Sequence, residues 1–152
     1  IEHRQNGYEI STDRKRLDLN QIHDYLSRES YWAQGRPMDI VTKSVEHSLC
    51  FGVYEGEQQV GFARVVTDYA TFAWLCDVFV LESYQGRGLG KWLVACAVAH
   101  PELAGLKLFL LATSNAHELY RRYGGFESLF APEKWMLRPA GPATAADCCT
   151  EA

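Results

Sequence analysis

The 152-residue sequence has no run of eighteen apolar residues, so no segment reads as a membrane-spanning helix. Its first residues, Ile1 to Asn6, lack the apolar centre of a secretion signal, and the expectation is a cytoplasmic protein without a membrane partner. There is no C-x-x-C pair, and His3, His23, His47, His100 and His117 show no H-x-x-x-H spacing, so no metal is expected. The cysteines number five, with Cys50, Cys76 and Cys96 inside apolar runs and Cys148-Cys149 in a polar tail, which excludes a disulfide framework. Positive charge is also scarce: 15 Lys+Arg against 19 Asp+Glu leaves a net charge of −4. This argues against a phosphate-neutralising surface for nucleic acid, which is not an expected partner, and mildly favours cationic amines.

What is present is an apolar fraction of 47%, ordinary for one compact domain of this length. Tyr8 to Thr12 reads as a first strand. Leu17, Ile22, Tyr25 and Leu26 recur at helical spacing behind Asp18 or Asn20 as cap, predicting a helix to about Glu29. Ser30 to Arg36 is a loop, and Pro37 suits the first turn of a second helix to about Glu46. Leu49 to Glu55 and Gln59 to Thr67 pair as a hairpin around Glu55-Gly56-Glu57. Thr71 to Leu81 is nearly all apolar and reads as a central strand covered on both faces, with Asp77 as its one charge. A helix from Gly88 to about His100 follows, then a strand from Leu106 to Ala112. A short helix behind Ser114 or Asn115 carries Leu119, Tyr120 and Tyr123, and final strands are predicted at 126–130 and 135–138. The order β-α-α-β-β-β-α-β-α-β-β predicts an α+β domain, a mixed central sheet with helices on both faces, over residues 1–138. Residues 139–152 are small and Pro/Ala-rich and are expected to be a disordered tail.

The turn Gln85-Gly86-Arg87-Gly88-Leu89-Gly90 joins the apolar strand to a helix. A helix start offers unpaired N–H groups and about half a positive charge, and glycines let phosphate oxygens come close. Arg87 adds a guanidinium suited to bidentate phosphate contact, and Lys91 adds charge. By itself the segment is also a plain tight connection. The spacing is G-x-G-x-G, not the dinucleotide pattern, and Lys91 lacks the Ser/Thr of a P-loop.

Gln85 to Gly90 resembles the Q/R-x-x-G-x-G/A signature of the GCN5-related N-acetyltransferases. Asp77-Val78-Phe79-Val80 resembles the family's fourth strand, and Asn115-Ala116-His117-Glu118-Leu119-Tyr120 with the following Gly-Phe resembles its second cofactor-side motif. The resemblance, over about residues 7 to 138, implies acetyl-CoA or another acyl-CoA as co-substrate. It places the pyrophosphate on Arg87, Gly88, Leu89, Gly90 and Lys91, with Gln85 and Gly86 among the cofactor-binding residues, and the pantetheine arm on the main chain of Phe79 and Val80. It also implies a splay between the fourth and fifth strands, Tyr120 beside the sulfur, and dimers in many relatives. Two departures stand out: Gly124-Gly125-Phe126 has one glycine more than the usual motif, and Thr113 stands where many relatives carry a cofactor-contacting Asn, a role for which Asn115 is the substitute.

A phenol near pKa 10 is a weaker acid than a thiol near 8.5, so Tyr120 is read as a hydrogen-bond donor to the departing thiolate; without the resemblance it reads as a core aromatic. An acid in an apolar strand is either partnered or functional, so Asp77 is a catalytic-base candidate beside Glu82 and water, and equally a structural residue bound to an Arg. Cys76 or Cys50 as a covalent nucleophile is the competing mechanism, unsupported by any adjacent basic residue. Tyr31, Trp32 and Arg36 in the loop, with Trp74, are the acceptor-pocket candidates, as a cation–π seat or as packing. The function expected is acyl transfer to a small amine; the alternatives are a protein amine as acceptor, or a non-catalytic acyl-CoA sensor.

Overall fold

The computed structural model describes residues 2–139. Apart from Pro139, the expected tail lies outside the described residues. Ten elements run in chain order: β1 (Glu2–Gln5), β2 (Tyr8–Ser11), α1 (Leu19–Asp24), α2 (Met38–Glu46), β3 (Leu49–Glu55), β4 (Gln58–Thr67), β5 (Phe72–Val80), α3 (Leu89–Val98), β6 (Leu108–Leu110) and α4 (His117–Gly124). The six strands form one sheet in sequence order, antiparallel throughout except for the parallel pair β5–β6. The α+β architecture with helices on both faces holds, and several boundaries differ.

Strand β1 was not expected. Asn6 and Gly7 both have positive φ (50° and 82°), the two-residue turn that joins twisted antiparallel strands, and it folds Glu2–Gln5 onto β2 although β1 is wholly exposed. Asp18 is the α1 cap, its carboxylate accepting from the Gln21 N–H at 3.0 Å. The helix then widens into a π-turn over Tyr25–Glu29. The C-terminal strands expected at 126–130 and 135–138 do not form; a 3₁₀ turn at Pro132–Lys134 lies between them. Phe130, Met136 and Leu137 there are largely exposed.

Period-two alternation divides the sheet's side chains between two cores. Ile10, Phe51, Val53, Val65 and Leu75 pack with Leu89, Leu93 and Ala97 of α3. On the other face, Cys50, Phe62 and Phe79 pack with Ile22, Leu26, Val41 and Val45 from α1, its π-turn and α2. Within β5 the alternation breaks. Arg64 pairs with Cys76 and Phe62 with Phe79, so Ala63 alone faces two residues, Asp77 and Val78. Asp77 takes the left-handed conformation (φ 51°), and this bulge moves the α3 face from Ala73 and Leu75 to Val80 while Phe79 turns to the α1–α2 face.

Strand β5 is next to the edge, not central as its apolar run suggested. It pairs with β6 at Phe72, Ala73 and Trp74 and then parts from it, since β6 ends at Leu110 while β5 continues to Val80. Beyond Trp74 that edge of β5 faces a cleft.

Candidate active site

The cleft has a volume of about 1170 Å³ and runs along the open edge of β5, between the N-terminus of α3 at one end and the loop before α2 at the other. That is at the upper end of, or above, the roughly 300–1,000 Å³ usual for a small-ligand site.

At the α3 end, Gly88 is the helix cap, in the left-handed conformation (φ 82°) that a Cβ disfavours. The first backbone bond of the helix is Trp92 N–H to Gly88 C=O at 3.1 Å, so the amides of Leu89, Gly90 and Lys91 precede the helix's own ladder. Gly86, Gly88, Leu89, Gly90 and Lys91 all border the cleft. Gln85 borders it too, but its side-chain amide donates to the Val80 carbonyl at 2.9 Å and closes the end of β5. Arg87 points elsewhere: its guanidinium donates to Tyr8 Oη at 2.6 Å and to the Ser83 carbonyl at 3.1 Å, and stacks over Tyr84. It braces the turn against β2. Lys91 borders the cleft as well, with its ammonium over the Tyr123 ring at 5.3 Å.

Midway, Phe79 and Val80 border the cleft, with the Phe79 ring stacked on Tyr25 at 3.9 Å. Tyr120, on α4, faces the same space. Burial, with smaller contributions from Tyr31 and Cys76, pushes its phenol up to about 12. The two glycines after it divide their tasks. A Cβ on Gly124 would lie 2.7 Å from the Phe126 ring and 3.1 Å from Val94, so glycine is required for Phe126 to fold back. Gly125 supplies the left-handed cap, and the Tyr120 carbonyl accepts from both Gly125 N–H and Phe126 N–H. The Phe126 ring then stands edge-on to Tyr120 at 6.2 Å and to Phe109 at 5.4 Å.

Neither Ser114 nor Asn115 caps α4. Thr113 Oγ1 accepts from the Ala116 N–H at 3.2 Å instead, while Asn115 borders the cleft. The Ser114 N–H donates to Tyr31 Oη at 3.0 Å, which ties the loop before α2 to the chain after β6 across the splay. Hydrogen bonding by Ser114, through its side chain first and then this N–H, draws the Tyr31 phenol below its usual value. Trp32 packs edge-on against Tyr31 at 5.0 Å.

At the loop end, Asp77 is 4% exposed and fully engaged. Trp32 Nε1 donates to its Oδ1 at 3.1 Å, and Arg36 (2.9 Å) and Arg64 (2.8 Å) both donate to its Oδ2. Trp74 and Val66 complete this end. Arg64 escaped the sequence reading, although the signal was the one that singled out Asp77: a lone charge inside an apolar strand. Cys76 also borders the cleft; burial first, and then Asp77, raise its thiol against the opposing pull of Arg64, to about 11. Cys50 is buried and stands at about 12. Few molecules carry either thiolate at neutral pH. Among the described residues there is no cluster of three metal-ligating side chains, and no helix long and apolar enough to cross a membrane.

With this geometry in place, the comparisons fix the class. The model of the acetyltransferase (GNAT) family matches residues 19–126, and the chain belongs to that family. A protein of Gibberella zeae, provisionally named an acetyltransferase, is 30% identical over 140 residues, covering 77% of this chain and 78% of that one. A Xanthomonas campestris pv. campestris crystal structure, provisionally assigned to the same family, superposes with a TM-score of 0.86 at 47% identity, over 90% of this chain and 96% of that one. An uncharacterised N-acetyltransferase of Prochlorococcus marinus is 28% identical over 82% of this chain and 66% of its own. The protein is thus an acetyltransferase of the GNAT family, a family that uses acetyl-CoA as co-substrate.

Proposed function

We propose that this chain transfers the acyl group of acetyl-CoA to a primary amine of a small molecule by direct attack on the thioester. The observation that carries this reading is the continuity of the cleft, from the amides that open α3, along the unpaired edge of β5, to Tyr120 and the aromatic loop. The amides of Leu89, Gly90 and Lys91 suit a pyrophosphate, and the flexible Lys91 side chain is within reach to add its charge. The free β5 edge offers main-chain groups to the amide-bearing pantetheine arm, as an added strand would use them.

In the step itself the amine nitrogen bonds to the thioester carbon, the C–S bond breaks, and the electron pair leaves on sulfur. The nitrogen's proton goes to cleft water, because both Asp77 oxygens already accept from three protein donors. With a phenol at about 12 and a thiol near 8.5, full proton transfer from Tyr120 runs uphill by roughly 3.5 pH units. Tyr120 therefore acts by donating a hydrogen bond to the nascent thiolate, and Asp77 by holding the acceptor end in shape.

The test is thiol release from acetyl-CoA across an amine panel. Tyr120→Phe is expected to lower kcat about a hundredfold while CoA affinity changes less than about threefold. Undiminished turnover in that variant removes the role of Tyr120. CoA binding without turnover on any small amine, or turnover only on protein amines, overturns the reading.

A further inference from the structure

The loop end of the cleft carries an excess of positive charge, opposite to the −4 of the whole chain. Arg36 and Arg64 share one carboxylate, and both use the same oxygen of Asp77. Two guanidiniums against one carboxylate leave a formal surplus of one positive charge. The other carboxylate that borders the cleft, Glu29, ends the π-turn that begins at Tyr25 and makes no ion pair with either guanidinium among the described residues.

Each guanidinium has five N–H donors. Arg64 gives one to Asp77 and one to Ser48 Oγ at 3.1 Å, and Arg36 gives one to Asp77. Arg36 and Arg64 border the cleft with side chains 23% and 13% exposed, and each keeps N–H donors that no protein group in the described residues takes up. Asp77 holds the two cations side by side against their mutual repulsion, and does so from a bulged, left-handed position that aims its carboxylate between them. The loop is held to match: Ser30 Oγ donates to the Leu26 carbonyl and accepts from Ala33 N–H, and Gly35 N–H donates to the Ser27 carbonyl. Around the pair, Trp32 and Trp74 are each more than a third exposed, and their apolar surface stands in the cleft.

We infer that this end of the cleft is a carboxylate seat, and that the acceptor is an amine that also bears a carboxylate: an amino acid with an aromatic or large apolar side chain. The planar forks of Arg36 and Arg64 take the carboxylate, Trp32 and Trp74 flank the side chain, and the amine is left facing Tyr120. This rests on the acyl-transfer reading for the fate of the amine; the seat itself does not.

The experiment compares an aromatic amino acid with its carboxamide and its decarboxylated amine. The full chain is used, both in thiol release with acetyl-CoA and in calorimetric titration onto CoA-loaded protein. The acid is expected to exceed both analogues that lack the carboxylate by about tenfold or more in kcat/KM and in affinity. Arg36→Gln is expected to shrink that preference below about threefold, and Arg36→Lys, which keeps the charge without the fork, to restore part of it. Equal or better binding of the decarboxylated amine, no binding of any member, or an unchanged preference in Arg36→Gln overturns the seat. Acid-selective binding with no thiol release from any amine upholds the seat and removes the transferase reading, so the two failures are distinguishable.

Discussion

Asp77, singled out as either partnered or functional, is partnered in the structure. Its three donors come from residues 13, 41 and 45 positions away in the chain, and by meeting them it shapes the acceptor end. Sequence spacing carries no information about such partners, whereas the demand for partners was legible because an apolar strand does not bury a free carboxylate. Tyr54 illustrates the reverse. It is 1% exposed, its Oη finds no hydrogen-bond partner among the described residues, and Arg16 covers its ring at 4.1 Å. A buried hydroxyl left unmade costs about 1–3 kcal/mol, while the ring supplies the packing. Tyr54→Phe is therefore expected to stabilise the protein by about 1 kcal/mol, seen in thermal melts as a rise in Tm of about 2–4 °C.

Among the elements, the donor half was readable because its chemistry is local. The Gly86–Gly90 turn needs only consecutive residues to make a helix start, and that start lies where the spacing predicted. The end of α4 was harder to read. The motif carries one glycine more than usual, and the structure uses both: Gly124 makes the room in which Phe126 folds back and Gly125 makes the turn. Gly124→Ala would place a Cβ 2.7 Å from the Phe126 ring. It is expected to cost about 1–3 kcal/mol by overpacking, measured by urea denaturation, and to lower kcat by shifting the Phe126 ring that stands against Tyr120. The expected strands at 126–130 and 135–138 failed for a related reason. Their apolar residues suit a pleated surface, but propensity does not provide a neighbour to pair with, and Phe130, Met136 and Leu137 remain exposed.

For the molecule as a whole, burial governs how stability answers to pH. Cys50, Tyr54 and Tyr120 are each raised to about 12, in every case chiefly by loss of solvent. A folded-state pKa above the unfolded value, about 9 for the thiol and 10 for the phenols, means that the unfolded chain releases these protons first. The contribution is fully present below pH 9 and is lost as pH rises toward 12. Denaturation midpoints are thus expected to fall steadily between pH 9 and 11, and Tyr54→Phe is expected to flatten that fall. An increase in stability over the same range would contradict the assignment.

The amino-acid sequence by itself determined the α+β class, the glycine-rich turn that opens α3 and the tyrosine ahead of Gly-Phe, because periodicity, helix capping and motif spacing depend on residues close along the chain. The tertiary structure decided the rest. It parted β5 from β6, so that an apolar strand lines a cleft instead of a core; it turned Arg87 outward onto Tyr8; and it gathered Trp32, Arg36 and Arg64 around Asp77. Each of these depends on where the sheet's bulge and the long-range packing bring distant residues together, and that is settled only once both cores have formed.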